Sequence, residues 1–179
     1  KIMPYVLERC NNVKLLIVGA SHGSHSESLK KLVADLKLEK EVCFTGHQTD
    51  VSYYYQNSRV FALVSKSEGY PNVMIEALAE GIPVVAADCP GATREILGYE
   101  QAQEVNNAME CKNGVLVPEL RDAALDAEKP LTKSQRVLAD AILKVLTQDS
   151  FYNKYKDCAK GDIKRLELDA IGNVWASYF

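Results

Sequence analysis

The length, composition and charge of the sequence indicate one globular domain and exclude several classes of protein. The chain has 179 residues, of which 47% are apolar and 25% are charged, and these values are typical of a domain that can bury a core. The formal net charge of −3 offers no cationic excess for neutralising phosphates, so we expect no binding to nucleic acid. No apolar run reaches the roughly 20 residues of a membrane-spanning helix, and the N-terminus has no signal-peptide pattern. We therefore expect a cytoplasmic protein.

The cysteines support the same location. There are five, an odd number, and they are scattered with no C-x-x-C pair and no histidine at metal-ligand spacing. We expect reduced thiols and no zinc site. Cys43 lies in an apolar run, where we expect its thiol to pack as a small hydrophobe.

Short apolar strands alternate with helical patterns along the first two thirds of the chain. The first apolar run ends at Gly19, and its continuous hydrophobicity predicts a strand that is buried on both faces. Such alternation implies right-handed crossovers and an α/β fold, a doubly wound, Rossmann-like parallel sheet of about six strands flanked by helices. The predicted strands are 13–18, 41–45, 60–64, 83–87 and 114–117, and the predicted helices between them are 26–38, 50–57, 71–80 and 93–97.

The last third of the chain is predicted to be helical after two irregular segments. We expect loops at 98–113 and 119–130, then helices at 131–146, 151–158 and 163–175. Thr132 or Ser134 is available as the N-cap of the first of these helices. The whole chain, 1–179, is expected to form one domain with its core at about 13–150 and its C-terminal helices at about 131–179. The first strand follows the N-terminus so closely that we expect the chain to be part of something longer.

Three loops at the carboxyl ends of predicted strands are candidate ligand sites, namely 19–26, 46–50 and 65–71. In the third loop, Gly69 permits close approach of a ligand and Pro71 suits the first turn of a helix. Free backbone amides at that helix start would suit a diphosphate. Glu68 precedes the helix and Glu76 lies inside it. Spacing alone favours the plain interpretation, in which Glu68 interacts with the helix dipole and Glu76 is a solvated side chain.

A longer pattern changes that interpretation. Residues 65–88 read Ser-x-x-Glu-Gly-Tyr-Pro-Asn-Val-Met-Ile-Glu-Ala-Leu-Ala-x-Gly-Ile-Pro-Val-Val-Ala-x-Asp, and Cys-Pro-Gly-Ala-Thr-Arg-Glu-Ile follows at 89–96. With Leu-Leu-Ile-Val-Gly at 15–19 and Asn-Gly-Val-Leu-Val-Pro at 113–118, this order resembles the C-terminal domain of the GT-B retaining glycosyltransferases called group 1 or family 4. A match of this length is more specific than a single motif.

The resemblance implies a site for a nucleoside-diphosphate sugar, linked to UDP or GDP. It assigns Glu68 to the sugar near its transferred carbon, as the catalytic residue, and Glu76 to the ribose of the nucleotide. The pyrophosphate-binding segment would consist of Gly69, Tyr70, Pro71, Asn72 and Val73. His47 and Gln48 would border the base, and Gly19 would lie near the cleft. No metal and no other cofactor is expected, because families of this fold generally work by electrostatic stabilisation of the leaving diphosphate.

The same resemblance also implies that other parts of the enzyme lie outside this sequence. Family members usually carry an arginine and a lysine, a few residues apart, before the position of Lys1, and an N-terminal domain that binds the acceptor. We therefore expect the isolated chain to bind its sugar donor weakly and to transfer little. The complete enzyme is expected to make a polysaccharide or glycolipid, in the cytoplasm or from a peripheral position on the inner face of the membrane.

Two alternatives remain open from the sequence: a nucleotide-sugar 2-epimerase of GT-B fold, and a domain that binds a nucleotide or a partner without catalysis. Three other motifs give no further evidence of function. His22 and His25 lack further metal ligands. The run Tyr53-Tyr54-Tyr55 is expected to serve mainly in packing, because consecutive residues of a helix point in different directions. The Gly19-x-x-x-Gly23 segment lacks the pattern of a P-loop or a dinucleotide fingerprint.

Overall fold

The computed structural model describes residues 1–20, 23–121 and 125–162, with only the backbone described for 158–162. Its helices are α1 (Met3–Leu7), α2 (Gly23–Asp35), α3 (Ser52–Gln56), α4 (Asn72–Ala79), α5 (Thr93–Leu97), α6 (Lys133–Thr147) and α7 (Asp149–Asp162). Its strands are β1 (Leu15–Val18), β2 (Val42–Gly46), β3 (Phe61–Leu63), β4 (Val84–Ala87), β5 (Met109–Glu110) and β6 (Gly114–Val117). The predicted helix at 163–175 lies outside the described residues.

The α/β class with parallel strands flanked by helices is confirmed, but the strands do not form one continuous sheet. β1 and β2 pair in parallel as a two-stranded sheet, and the second sheet has the order β3-β4-β6-β5. β5 is the one antiparallel strand among the described pairs, and it lies in a segment predicted to be a loop. In a doubly wound sheet the strand order reverses at a central strand. Within the described residues, β1 and β3 are not hydrogen-bonded to each other, so the two sheets are separate at this point.

The prediction that β1 is buried on both faces is wrong. Leu15 is 37% exposed and Val18 is 38% exposed. Ile17 and Phe44 pack against the α2 side, where Leu38 and Val42 are buried. Cys43, predicted to pack as a small hydrophobe, is exposed instead. An apolar run indicates a strand but not how many layers cover it.

The second sheet carries the main core, which fixes the carboxyl ends of β3 and β4. All four residues of β4 are at most 1% exposed. One face of the sheet packs against α4 and α5 through Met74, Leu78, Ile96 and Leu97. The other face packs against α6 and α7 through Leu138, Val145, Phe151 and Tyr155. This three-layer packing makes the loops after β3 and β4 extensions of a rigid scaffold.

Helix α1 was not predicted, and it connects the small sheet to the main layer. Met3 packs in the cluster that holds β2, while Val6 packs with Ala139 and Leu143 of α6. The Tyr5 hydroxyl donates to Asp140 Oδ1 at 2.9 Å. A helix of five residues has too few turns to leave a periodic signal in the sequence.

The start of α6 confirms one predicted cap. The Thr132 hydroxyl accepts a hydrogen bond from the Gln135 amide, and the Gln135 side chain accepts one from the Thr132 amide, which completes a capping box.

The helices were also compared with the length and hydropathy that a membrane-spanning helix needs. In the described part of the chain, no helix is both long and apolar enough to cross a membrane.

Candidate functional site

The loop between β3 and α4 places an exposed helix start beside the main sheet. Pro71 is buried and is the N-cap of α4, with φ −74° and ψ 87°, so the helix begins one residue later than predicted. The first amides of a helix have no partner inside it. The N-terminus of α4 therefore directs the amides of Asn72 and Val73 outward, beside exposed Gly69 and Tyr70. This is the geometry in which a helix start can bind an anion.

Glu68 lies at the inner side of this loop and is partly exposed. Its amide donates to the carbonyl oxygen of Pro90 at 3.0 Å, and the next carbonyl, that of Gly69, accepts from the Ala92 amide at 3.1 Å. The turn after β4 therefore fixes the backbone on which the Glu68 carboxylate is carried. Sequence patterns included Gly91 and Ala92 in the family motif but assigned them no role.

Glu76 is held by a tyrosine that the sequence analysis assigned mainly to packing. The hydroxyl of Tyr55, on α3, lies 3.0 Å from Glu76 Oε2 and 3.2 Å from the carbonyl oxygen of Val73. Burial, and then the hydrogen bond to Glu76, raise the pKa of Tyr55 above its ordinary value, so the phenol stays protonated and can donate. A carboxylate has about four acceptor positions. Glu76 can thus accept this bond and still accept hydrogen bonds from a ligand.

The first and second candidate loops lie side by side. The amide of Gly19 donates to the carbonyl oxygen of Gly46 at 2.9 Å, and both glycines have positive φ, +140° and +70°. His47 is exposed, and the Gln48 side-chain amide donates to the Thr45 carbonyl oxygen at 2.7 Å. Part of the first loop, residues 21–22, lies outside the described residues.

α3 connects these loops to the third. It follows the second loop in the chain, and its Tyr55 contacts Glu76 on α4. The structure therefore places Glu68 just before the α4 N-terminus and Glu76 within α4, and places Gly19 beside Gly46. Side chains of α3, which follows the second loop, contact α4.

An ion pair that sequence reasoning missed supports the turn after β4. Arg94 donates to both carboxylate oxygens of Asp88 at 2.7 Å, through Nε and Nη2. Arg94 also donates to the carbonyl oxygens of Gln101 and Gln103. The hydrogen bonds that Arg94 donates to Asp88 are the main cause that raises the pKa of Arg94. The two-point contact fixes the start of α5 relative to the end of β4.

The described residues contain no group of three or more His, Cys, Asp or Glu side chains placed to hold a metal ion.

The comparison with protein families gives a direct match. The family described as glycosyl transferases group 1 matches residues 1–148, the greater part of the chain. The chain belongs to this family. The match includes all the candidate loops, and it confirms the resemblance found in the sequence.

Relatives of this group 1 glycosyltransferase chain occur in archaea and bacteria. It is 31% identical over 175 residues to an uncharacterized glycosyltransferase of Methanocaldococcus jannaschii, covering 95% of this chain and 42% of that protein. It is 31% identical over 105 residues to a Vi polysaccharide biosynthesis protein of Salmonella typhi, covering 55% of this chain and 18% of that protein. The chain thus spans less than half the length of these relatives.

Solved structures agree on the fold. Anabaena HepE, crystallised in complex with UDP, superposes with a TM-score of 0.71 at 23% identity, covering 99% of this chain and 43% of that one. At this identity the likeness establishes the fold, that of GT-B glycosyltransferases, and not the ligand.

Proposed function

We propose that this chain is the donor-binding part of a longer, two-domain retaining glycosyltransferase that uses a UDP- or GDP-linked sugar. The observation that carries the proposal is the placement of Glu68 and Glu76 on either side of the α4 N-terminus, in a chain of the group 1 family. The crystallised complex of HepE with UDP supports a nucleotide ligand. The family match gives no support to the epimerase alternative.

The chemistry would be mainly electrostatic. As the bond from sugar to diphosphate breaks, positive charge develops on the sugar and negative charge on the leaving phosphates. The amides of Asn72 and Val73, with the α4 dipole, would stabilise the phosphates. Glu68 would lie near the transferred carbon, and Glu76, oriented by Tyr55, would bind the ribose. We propose that no metal takes part, so that excess EDTA leaves transfer unchanged.

The acceptor and the location belong to the whole protein. The Vi polysaccharide biosynthesis protein supports a role in polysaccharide or glycolipid synthesis. We place the enzyme in the cytoplasm, at the periphery of the inner membrane face, with acceptor binding in a second domain. The chain alone should then transfer little or no sugar.

Nucleotide binding to this chain is the first test. UDP, GDP and ADP are titrated into the 179-residue chain by calorimetry, at concentrations up to millimolar. We expect one uridine or guanosine diphosphate to bind, and Glu76→Gln to weaken it about tenfold, the effect of losing a charge-assisted hydrogen bond. The matched control is Glu80→Gln, one turn further along, whose carboxylate accepts from Gln56. Equal effects of the two variants would contradict the assignment of Glu76.

Transfer by the complete polypeptide is the second test. Glu68→Ala should lower kcat by two orders of magnitude or more, a loss typical of removing an electrostatic stabiliser. NMR of the product should show that the anomeric configuration of the donor is retained. Inversion would contradict the retaining mechanism, unchanged transfer by Glu68→Ala would contradict the catalytic role of Glu68, and no transfer by the unmodified polypeptide would favour a binding role without catalysis.

A further inference from the structure

Gly91 lies directly against the loop that carries Glu68. Its φ is +126°, and a Cβ placed there would overlap the carbonyl oxygen of Glu68 and lie 2.7 Å from its carbonyl carbon. The same Cβ would lie 3.1 Å from the carbonyl oxygen of Gly69. Only glycine avoids both the steric overlap and the cost of positive φ.

Two backbone hydrogen bonds flank this contact. The Glu68 amide donates to Pro90, and the Ala92 amide donates to Gly69, at 3.0 and 3.1 Å. The segment 90–92, which we name the 90–92 turn, therefore contacts the peptide between Glu68 and Gly69 from both ends. Displacement of the turn must displace the backbone of Glu68.

The 90–92 turn is itself anchored to the rigid part of the domain. It lies between β4, which is buried throughout, and α5, whose Thr93 is fully buried. The bidentate pair of Asp88 and Arg94 joins the residue after β4 to α5. The core of the main sheet thus determines the position of the turn, and the turn determines the position of Glu68.

Other glycines with positive φ differ from Gly91. A Cβ at Gly19 or Gly46 would meet no atom within 4 Å, so their conformation alone explains them. At Gly98, φ is +70° and a Cβ would lie 3.0 Å from Lys112 Cβ. Gly98 therefore has a positive φ and a tight contact with a side chain, but it does not contact the backbone of Glu68.

We propose that the 90–92 turn is the positioning element for Glu68, with Gly91 as the positioning residue that permits the close backbone contact. The inference rests on the proposed function, since it needs Glu68 to act in transfer. The turn sets where the carboxylate stands relative to the α4 N-terminus. Gly91 itself is assigned no contact with the substrate.

The test is Gly91→Ala in the complete polypeptide, with Gly98→Ala as the matched control for an alanine forced into positive φ. Gly91→Ala should lower kcat on the order of a hundredfold, the cost of misplacing a reacting group by about 1 Å. The KM for the sugar donor should change much less, because Glu76 and the α4 amides remain in place. Gly98→Ala should lose stability but keep its kcat.

Hydrogen exchange gives a second, local measurement. Gly91→Ala should speed exchange at the amides of Glu68 and Ala92, and Gly98→Ala should not. If Gly91→Ala does not fold, Ala92→Pro takes its place. It removes the amide that donates to Gly69, at a φ of −83° that proline accepts, and should also lower kcat.

The outcomes separate this inference from the proposed function. Suppose that Glu68→Ala abolishes transfer, but that Gly91→Ala has the same kcat as Gly98→Ala or loses activity only through a higher KM. Positioning of Glu68 by the 90–92 turn is then wrong, and the proposed function stands. If the complete polypeptide transfers no sugar, the proposed function fails. If it transfers sugar and Glu68→Ala transfers equally well, the catalytic role of Glu68 is wrong, and the inference fails with it while the proposed function stands.

Discussion

The hydroxyl of Tyr55 and the carboxylate of Glu76 lie 3.0 Å apart, although 21 positions separate the two residues in the chain. Tyr55 is half-buried against Phe61, with ring centroids 5.9 Å apart, so its ring has little freedom to turn away. A phenol fixed in this way restricts the carboxylate that it contacts. If Glu76 binds the ribose, as we propose, Tyr55 is the residue that orients its carboxylate for that contact.

We therefore expect Tyr55→Phe to weaken nucleotide binding about fivefold, or roughly 1 kcal/mol, the usual contribution of one hydrogen bond. Calorimetric titration of the nucleotide that binds the unmodified chain measures the effect. Tyr53→Phe is the matched control, because Tyr53 lies on the same helix and is 65% exposed. Equal affinities of the two variants would show that Tyr55 serves in packing alone.

Substitution of Gly114 tests the packing of the core, and substitution of Gly69 tests the binding of the nucleotide. A Cβ at Gly114 would overlap the Val84 carbonyl oxygen and lie 3.0 Å from Leu97 Cδ2, whereas a Cβ at Gly69 would meet no atom within 4 Å. Gly114→Ala should lower the free energy of unfolding by about 2 kcal/mol or more, the cost of overpacking a core. Gly69→Ala should leave stability within about 0.5 kcal/mol but weaken nucleotide binding, since the methyl group would occupy space that a diphosphate needs.

Urea unfolding and calorimetry together check this pair. Unchanged nucleotide affinity in Gly69→Ala would mean that the diphosphate does not approach this loop closely. Unchanged stability in Gly114→Ala would contradict the close packing of β6 on β4.

Apolar runs and capping residues in the sequence were sufficient to predict the strands β4 and β6 and the start of α6. β4 and β6 are continuous apolar runs of four residues, buried throughout, and such runs have one simple interpretation in an α/β chain. Thr132 followed three residues later by Gln135 has the spacing of a capping box. These features depend only on residues close together in the chain, so a local sequence pattern is enough to predict them.

The remaining features depend on contacts between distant segments. The bond from Tyr55 to Glu76 and the contact of Gly91 with Glu68 join different elements, and no local pattern records them. The exposure of Leu15 and Val18 depends on what covers the two faces of β1, which an apolar run does not specify. The roles of Glu68 and Glu76 came from the family resemblance, and they stay predictions.

The pair formed by Asp88 and Arg94 should stabilise the turn after β4. Their side chains are only 16% and 29% exposed. We expect Asp88→Asn to lower the free energy of unfolding by about 1 to 2 kcal/mol, because it leaves a partly buried guanidinium without its charged partner. Urea unfolding measures the loss. The control is Asp126→Asn, whose carboxylate lies 3.6 Å from Lys129 on the surface and should cost less than about 0.5 kcal/mol.

Glu110 should make stability depend on acid pH. Its two carboxylate oxygens accept from Lys144 at 2.6 Å and Lys154 at 2.8 Å, and these bonds lower the pKa of Glu110 below its ordinary value of 4.5. Since the folded state favours the ionised form, the stabilisation is fully present above pH 4.5 and is lost as pH falls through the lowered pKa. The side chain is 44% exposed, so solvent screening limits the effect to about 1 kcal/mol or less.

Urea unfolding of Glu110→Gln between pH 7 and pH 3 tests that dependence. The variant should be less stable than the unmodified chain at pH 7, and the difference should shrink towards zero as pH falls, because protonation removes the same charge that the substitution removes. Added salt at pH 7 should also shrink it, since the pairs are partly exposed. Glu104→Gln, an exposed acid in the loop before β5, is the matched control. A difference that stays constant with pH and salt would mean that Glu110 stabilises β5 through packing, and not through its charge.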